Sequence, residues 1–167
     1  WVLSGLDEFL EYVPEYRLAT RDPTIGYRTG ADGCYRDAIS IAIAVNQMCI
    51  ARGIHLIIED TGKDLHRTLQ FVEQFDGLGR DITVALVDND PNVAVTRALG
   101  RFQLTGRFSS AEYIRGSFRD VFENYCTLKR RALKGEIRVS SFIYVDNSTH
   151  KTRVWLDCEP NLPAIDG

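Results

Sequence analysis

Residues Leu56 to Ile58 form a short apolar run that ends abruptly in Glu59, Asp60, Thr61 and Gly62. A carboxylate leaving a buried strand beside a hydroxyl can hold a Mg²⁺ through water or bind a sugar or nucleotide hydroxyl. The same residue types also cap helices, and Asp60 or Thr61 could serve a helix starting near Asp64. Asp7 follows the apolar pair Val2-Leu3 by a few residues and so stands near another strand end. There it could take the proton of an attacking hydroxyl, the task of a general base; capping the segment "EFLEY" is its alternative role. Arg97, Arg101 and Arg107 make a third group. Arg97 and Arg101 are spaced to share a helix face, Arg107 follows Thr105-Gly106 in a turn just beyond, and no acid lies between Arg97 and Arg107. Converging guanidinium forks suit a polyphosphate, since each fork can hold two oxygens. A solvated cationic face is the alternative.

These residues need strands and helices to position them. Val2-Leu3 reads as the tail of a strand, followed by "DEFLEYVPEY", which Pro14 interrupts. Thr20 to Gly33 is rich in Gly and turn formers and reads as an irregular loop. Tyr35 to Arg52 lacks Gly and Pro and stops before Gly53, as a helix should. His55 to Glu59 and Asp81 to Val87 read as strands buried on both faces. Between them, Asp64 to Phe75 sets Leu65, Leu69, Val72 and Phe75 on one side at helical spacing. Pro91 suits a first helical turn, so Asn92 to Phe102 is a helix. Ser109, Ser110 and Glu112 open another, running to about Arg131 with Tyr113, Phe118, Val121, Phe122 and Tyr125 as apolar members. The tail reads as two strands joined by a turn from Asp146 to His150. Strand and helix thus alternate at the spacing of βα units, which argues a parallel sheet with helices on both faces. In such sheets ligands bind beyond the carboxyl ends of the strands.

Bulk properties narrow the classes. A chain of 167 residues, 44% hydrophobic and 26% charged, fits one domain able to bury a core. The net charge of −3 gives no overall basic field for nucleic acid. Lys129, Arg130, Arg131 and Lys134 are the one dense basic cluster, with no aromatic among them to stack a base. A helix C-terminus complementing its dipole explains them better than a polynucleotide-kinase groove. Cys34, Cys49, Cys126 and Cys158 show neither C-x-x-C nor zinc spacing and read as reduced thiols of an intracellular protein in cytoplasm or organelle matrix. No apolar run approaches the ~18 residues of a membrane span. His55, His66 and His150 are scattered and carry no assigned role, and Lys63 is a surface lysine within reach of an anion. No metal ligands are assigned.

With these residues placed, the chain resembles the zeta-toxin family of P-loop kinases. "DEFLEYVPEY" is similar to the family's segment after its second strand, with Asp7, Phe9, Pro14 and Tyr16 in the matching places. "YRDAIS", the helix after it and "ARGIHLIIEDTG" resemble the family's acidic residue, long helix, Gly, strand and acid-x-Thr turn through Asp37, Gly53, Glu59 and Thr61. "NVAVTRALGRFQLTGRF" resembles the arginine-bearing lid, and "YVDNS" the late strand and turn. The resemblance implies an α/β fold, a three-layer αβα P-loop kinase-like core with a mainly parallel sheet, over residues 1–158, with 159–167 a tail. It further implies Asp7 as general base, Asp37, Glu59 and Thr61 on the acceptor, and Arg101 and Arg107 on the ATP phosphates. ATP and Mg²⁺ would be the cofactors. The acceptor would be a small-molecule hydroxyl compound, for instance a nucleotide sugar such as UDP-N-acetylglucosamine.

The family's G-x-x-x-x-G-K-[ST] loop, whose amides cradle phosphates and whose lysine reaches the β and γ groups, is not among the 167 residues. The only Gly-Lys, Gly62-Lys63, is followed by Asp64. Because the chain opens at Trp1 and its only Met is Met48, the expectation is that translation starts upstream and that the first strand and phosphate loop lie there. Asp37 is shorter than the family's usual Glu, and Asp60 stands where the family has a small Gly, an extra carboxylate that could repel a phosphate or recruit a metal. The alternative from another class is a degenerate kinase fold that serves as a binding or scaffold module, with protein partners in a larger assembly.

Overall fold

In the computed structural model, residues 1–19, 27–105, 109–149 and 152–156 are described. Among them the strands form two sheets, and the chain divides into two compact units, Trp1–Thr61 with Thr96–Ser110, and Gly62–Val95 with Ala111–Gly167.

In the first unit, β1 (Val2–Gly5) and β2 (Leu56–Glu59) pair in parallel, from Val2 opposite Leu56 to Gly5 opposite Glu59. A parallel pair needs a long crossover. Here it comprises α1 (Leu6–Leu10), α2 (Pro14–Ala19) and α3 (Tyr27–Ala51). Pro14, which breaks the amphipathic run, begins α2, the position where its missing N–H costs nothing. Phe9 and Leu10 of α1, Val13 of the link and Tyr16 of α2 pack on Cys34, Ala38 and Ala42 of α3. Those three recur every fourth residue, and their small side chains let the helices approach closely. Leu10 is 1% exposed, so truncating it to Ala would cost about 2–5 kcal/mol.

The expected loop from Thr20 to Gly33 is corrected in its second half: α3 starts at Tyr27, with Gly30 and Gly33 inside the helix. Packing of the next turns on α1 outweighs the roughly 1 kcal/mol each glycine costs a helix. The C-terminus is as the pattern foretold. Gly53, at φ 69°, takes the left-handed conformation there, and the Ile54 N–H reaches Cys49 O at 2.9 Å.

In the second unit, β3 (Thr83–Asp88) and β4 (Ser141–Asp146) run parallel, and β5 (Arg153–Leu156) joins β4 antiparallel. The crossover from β3 to β4 includes α5 (Pro91–Thr105) and α6 (Ala111–Leu133). The core holds Val72, Leu86, Tyr125, Leu128, Ile137 and Phe142, with Leu65, Leu69, Val121 and Phe122 against it. Leu65, Leu69 and Val72 come from α4 (Leu65–Gly77), as their spacing foretold. Tyr113 does not join the core: it is 51% exposed, with the Lys63 ammonium 5.2 Å above its ring. Of the expected first tail strand, Ile137 to Ser140 precede β4, and Ile137 enters the core from a loop.

Burial on both faces of the strands is also corrected. Accessibility alternates along β2 and most of β3, with Ile57 at 47% and Val87 at 63%, so among the described residues these strands present one covered and one open face.

Candidate functional site

The carboxyl end of β1–β2 gathers polar groups by register. Gly5 and Glu59 are the last paired residues, and the Glu59 side chain folds back over Gly5, its Oε2 2.8 Å from where a Cβ on that glycine would stand. Gly5 is also the N-cap of α1, and it caps without any side-chain hydrogen bond. Asp7 therefore lies in the first turn of α1 and is not its cap. A carboxylate in that turn is stabilised by the positive end of the helix dipole. Asp7 and Glu59 thus stand at the same end of two adjacent strands. The Glu59 carboxylate is exposed and has no hydrogen-bond or ion-pair partner among the described residues.

Beyond β2, the capping alternative for Asp60 and Thr61 is overturned. The helix that follows is capped by Asp64, whose Oδ1 accepts the Arg67 N–H at 3.1 Å. Asp60 Oδ1 instead accepts the Thr61 N–H at 2.7 Å, a local turn that leaves the Thr61 side chain at the exposed exit of the strand. In the second unit, Gly62 adopts φ 69°, a conformation costly for other residues. Asn124 of α6 donates to the carbonyls of Gly62 and Lys63 at 2.9 and 2.8 Å, tying that turn down.

Asp37 sits on α3 just before Ala38, the residue wholly buried against α1 and α2. Its carboxylate is exposed, and its charge, like that of Glu15 in α2, acts on the Cys34 thiol. Burial first, then the Glu15 and Asp37 charges, push the Cys34 thiol above its ordinary value, so Cys34 stays protonated and inert. Arg97 and Arg101 lie on α5, both exposed. The Arg101 guanidinium donates to Ser109 Oγ at 3.5 Å. Arg107 lies outside the described residues.

The carboxyl end of β3–β4 is a second polar cluster, and only its β4 side, "YVDNS", stood out in the sequence. Asp88 and Asp146 are register partners there. Tyr144 donates its hydroxyl to Asp88 Oδ2 at 2.5 Å, and the Asn89 N–H reaches Asp88 Oδ1 at 2.8 Å. Burial, the hydrogen bond to Asp88 and the nearby carboxylate charges all push the Tyr144 hydroxyl well above its ordinary value. Asp146 Oδ1 accepts from both the hydroxyl and the N–H of Ser148 at 2.5 and 2.9 Å. Those two bonds hold its carboxyl below the usual range.

Sequence reasoning missed Gly5 and Asp88. Each acquires its role through strand pairing, for which neither residue carries a local signal.

Among the described residues no helix is long and apolar enough to cross a membrane. A protein-family model described as zeta toxin matches residues 1–157. No curated protein and no solved structure matches the chain.

Proposed function

Because the chain belongs to the zeta-toxin family, whose fold is P-loop kinase-like and whose members bind nucleotide, we propose that it transfers the γ-phosphoryl group of ATP to a hydroxyl acceptor, a nucleotide sugar such as UDP-N-acetylglucosamine. The reading is carried by one observation within that frame: Glu59, exposed and without a partner among the described residues, folds over Gly5 at the strand end from which Asp7 also emerges. Two carboxylates at one strand end accept hydrogen bonds from hydroxyls and repel phosphates. The part of the acceptor held there is therefore its uncharged, hydroxyl-bearing ring.

In this reading Asp7 takes the proton from the acceptor hydroxyl as that oxygen attacks phosphorus. Glu59, Thr61 and Asp37 orient the acceptor, which matters because phosphoryl transfer depends on positioning and charge stabilisation rather than covalent catalysis. Arg101 and Arg107 contact the phosphates. A guanidinium at that place accelerates related transfers by about 10³ to 10⁵. Mg²⁺ bound with ATP supplies charge neutralisation at the transferred group. The residues present fit the arginine side of such a ligand: Arg101 presents an exposed guanidinium on α5, the chemistry that pairs with phosphate oxygens. An amide cradle of the G-x-x-x-x-G-K-[ST] type is not among them. The enzyme acts inside the cell, where ATP is available.

Isothermal titration of the full-length protein with ATP and Mg²⁺, followed by a transfer assay on UDP-N-acetylglucosamine, tests this. Micromolar ATP binding with transfer to the sugar is the expected result. No ATP binding would overturn the kinase reading in favour of a binding module with protein partners, and ATP binding without transfer would overturn the choice of acceptor.

A further inference from the structure

We propose that Gly5 is a positioning residue for the acceptor, because its missing side chain leaves the space in which the Glu59 carboxylate lies; this rests on the kinase reading above. A Cβ at residue 5 would stand 2.8 Å from Glu59 Oε2, 3.7 Å from its Cδ and 3.9 Å from its Cβ. The first of these distances is closer than carbon and oxygen can approach without one of them moving. Backbone geometry does not call for glycine here. Its φ of −104° and ψ of 131° lie in the extended region open to every residue. Space is therefore the reason, and the space is occupied by one carboxylate.

That distinction separates function from folding. The crowded atom is the far end of a flexible side chain with solvent beside it, so an alanine at residue 5 would displace it at little cost to stability. What moves, however, is the group that receives the acceptor's hydroxyl. Asp7 is fixed two residues further on in the first turn of α1, and its position relative to the backbone of residue 5 does not change. Displaced from that place while Asp7 stays, Glu59 no longer reaches the acceptor's hydroxyl, so that hydrogen bond is lost and the acceptor binds more weakly.

The test compares the full-length wild type, Gly5→Ala, Glu59→Ala and the double variant, with ATP, Mg²⁺ and UDP-N-acetylglucosamine as probes. Gly5→Ala is expected to raise the acceptor KM about tenfold, the effect of one lost charge-assisted hydrogen bond, while leaving the ATP KM and the melting temperature unchanged. In the Glu59→Ala background the same change should do nothing further, because the displaced group is gone. An unchanged acceptor KM in Gly5→Ala, or an equal additional loss in the Glu59→Ala background, overturns the proposal. Crystal structures decide it independently of activity. In Gly5→Ala the Glu59 carboxylate should have left residue 5, and finding it still against that residue also overturns the proposal. A wild type that neither binds nor phosphorylates the sugar overturns the acceptor reading instead, and the crystallographic comparison still decides whether Gly5 holds the Glu59 position.

Discussion

The two strand ends that carry acids differ in what their carboxylates do. At the end of β3–β4, Asp88 receives the Tyr144 hydroxyl and the Asn89 amide, and Asp146 receives two bonds from Ser148. These acids are engaged within the protein, and they shift the titration of their neighbours or themselves. At the end of β1–β2, Glu59 leans over a glycine that offers it no side chain, with no partner among the described residues. Both clusters occupy the place where ligands bind in parallel sheets. Position at a strand end is thus not what distinguishes a chemical carboxylate from a structural one. The distinguishing feature is whether neighbouring donors already use its oxygens.

If that contrast is right, substitutions at the first end should alter activity and spare stability, and those at the second should do the reverse. The largest effect is expected from Asp7→Asn, which should lower the transfer rate by about 10² to 10⁴, the usual worth of a general base. ATP affinity by calorimetry and the melting temperature should not change, and full transfer by the variant would remove Asp7 from the base role. Glu59→Gln comes next. It keeps the shape but weakens a charge-assisted bond, so the acceptor KM should rise roughly tenfold in steady-state kinetics.

Tyr144→Phe should act on folding instead, by about 1–2 kcal/mol in denaturant titrations, since it leaves Asp88 Oδ2 short of a donor in a half-buried place. The pH dependence sharpens this. A tyrosine whose folded pKa is raised contributes stability that is complete below its unfolded value of about 10 and is lost as pH rises through the folded value. Wild type should therefore weaken faster than Tyr144→Phe on the alkaline side. A loss of transfer at unchanged stability in Tyr144→Phe would break the comparison by giving the second end a chemical role.

The smallest effect belongs to Ser148→Ala. Asp146 has a depressed carboxyl, so its contribution is present above the unfolded value and lost as pH falls through the folded one. Removing the hydroxyl should raise the pH at which Asp146 titrates by NMR and move acid unfolding to slightly higher pH. An unshifted Asp146 would mean that the Ser148 amide alone holds the carboxylate.

Much of this was legible in the order of residues. Apolar runs of strand length, the helical spacing of Leu65, Leu69 and Val72, Pro91 at a first helical turn and Gly53 at a helix end are local signals, each set by side-chain size or backbone freedom within a few residues. They determined the βα alternation and placed Asp7 and Glu59 near strand ends. The helical character of Tyr27 to Gly33 was not legible, because its glycines oppose a helix locally and packing of the following turns on α1 and α2 decides the matter. Nor was the cap at Asp64, since Asp60, Thr61 and Asp64 are equally good candidates and only the folded turn selects one. Register is the clearest case. Pairing Gly5 with Glu59, and Asp88 with Asp146, joins residues distant along the chain. A slip of one residue would send every side chain to the opposite face. The sequence alone determined which residues could do chemistry and roughly where they stand. Only the tertiary structure decided which carboxylates meet a donor and which one meets a glycine, because that depends on contacts between strands that no local pattern encodes.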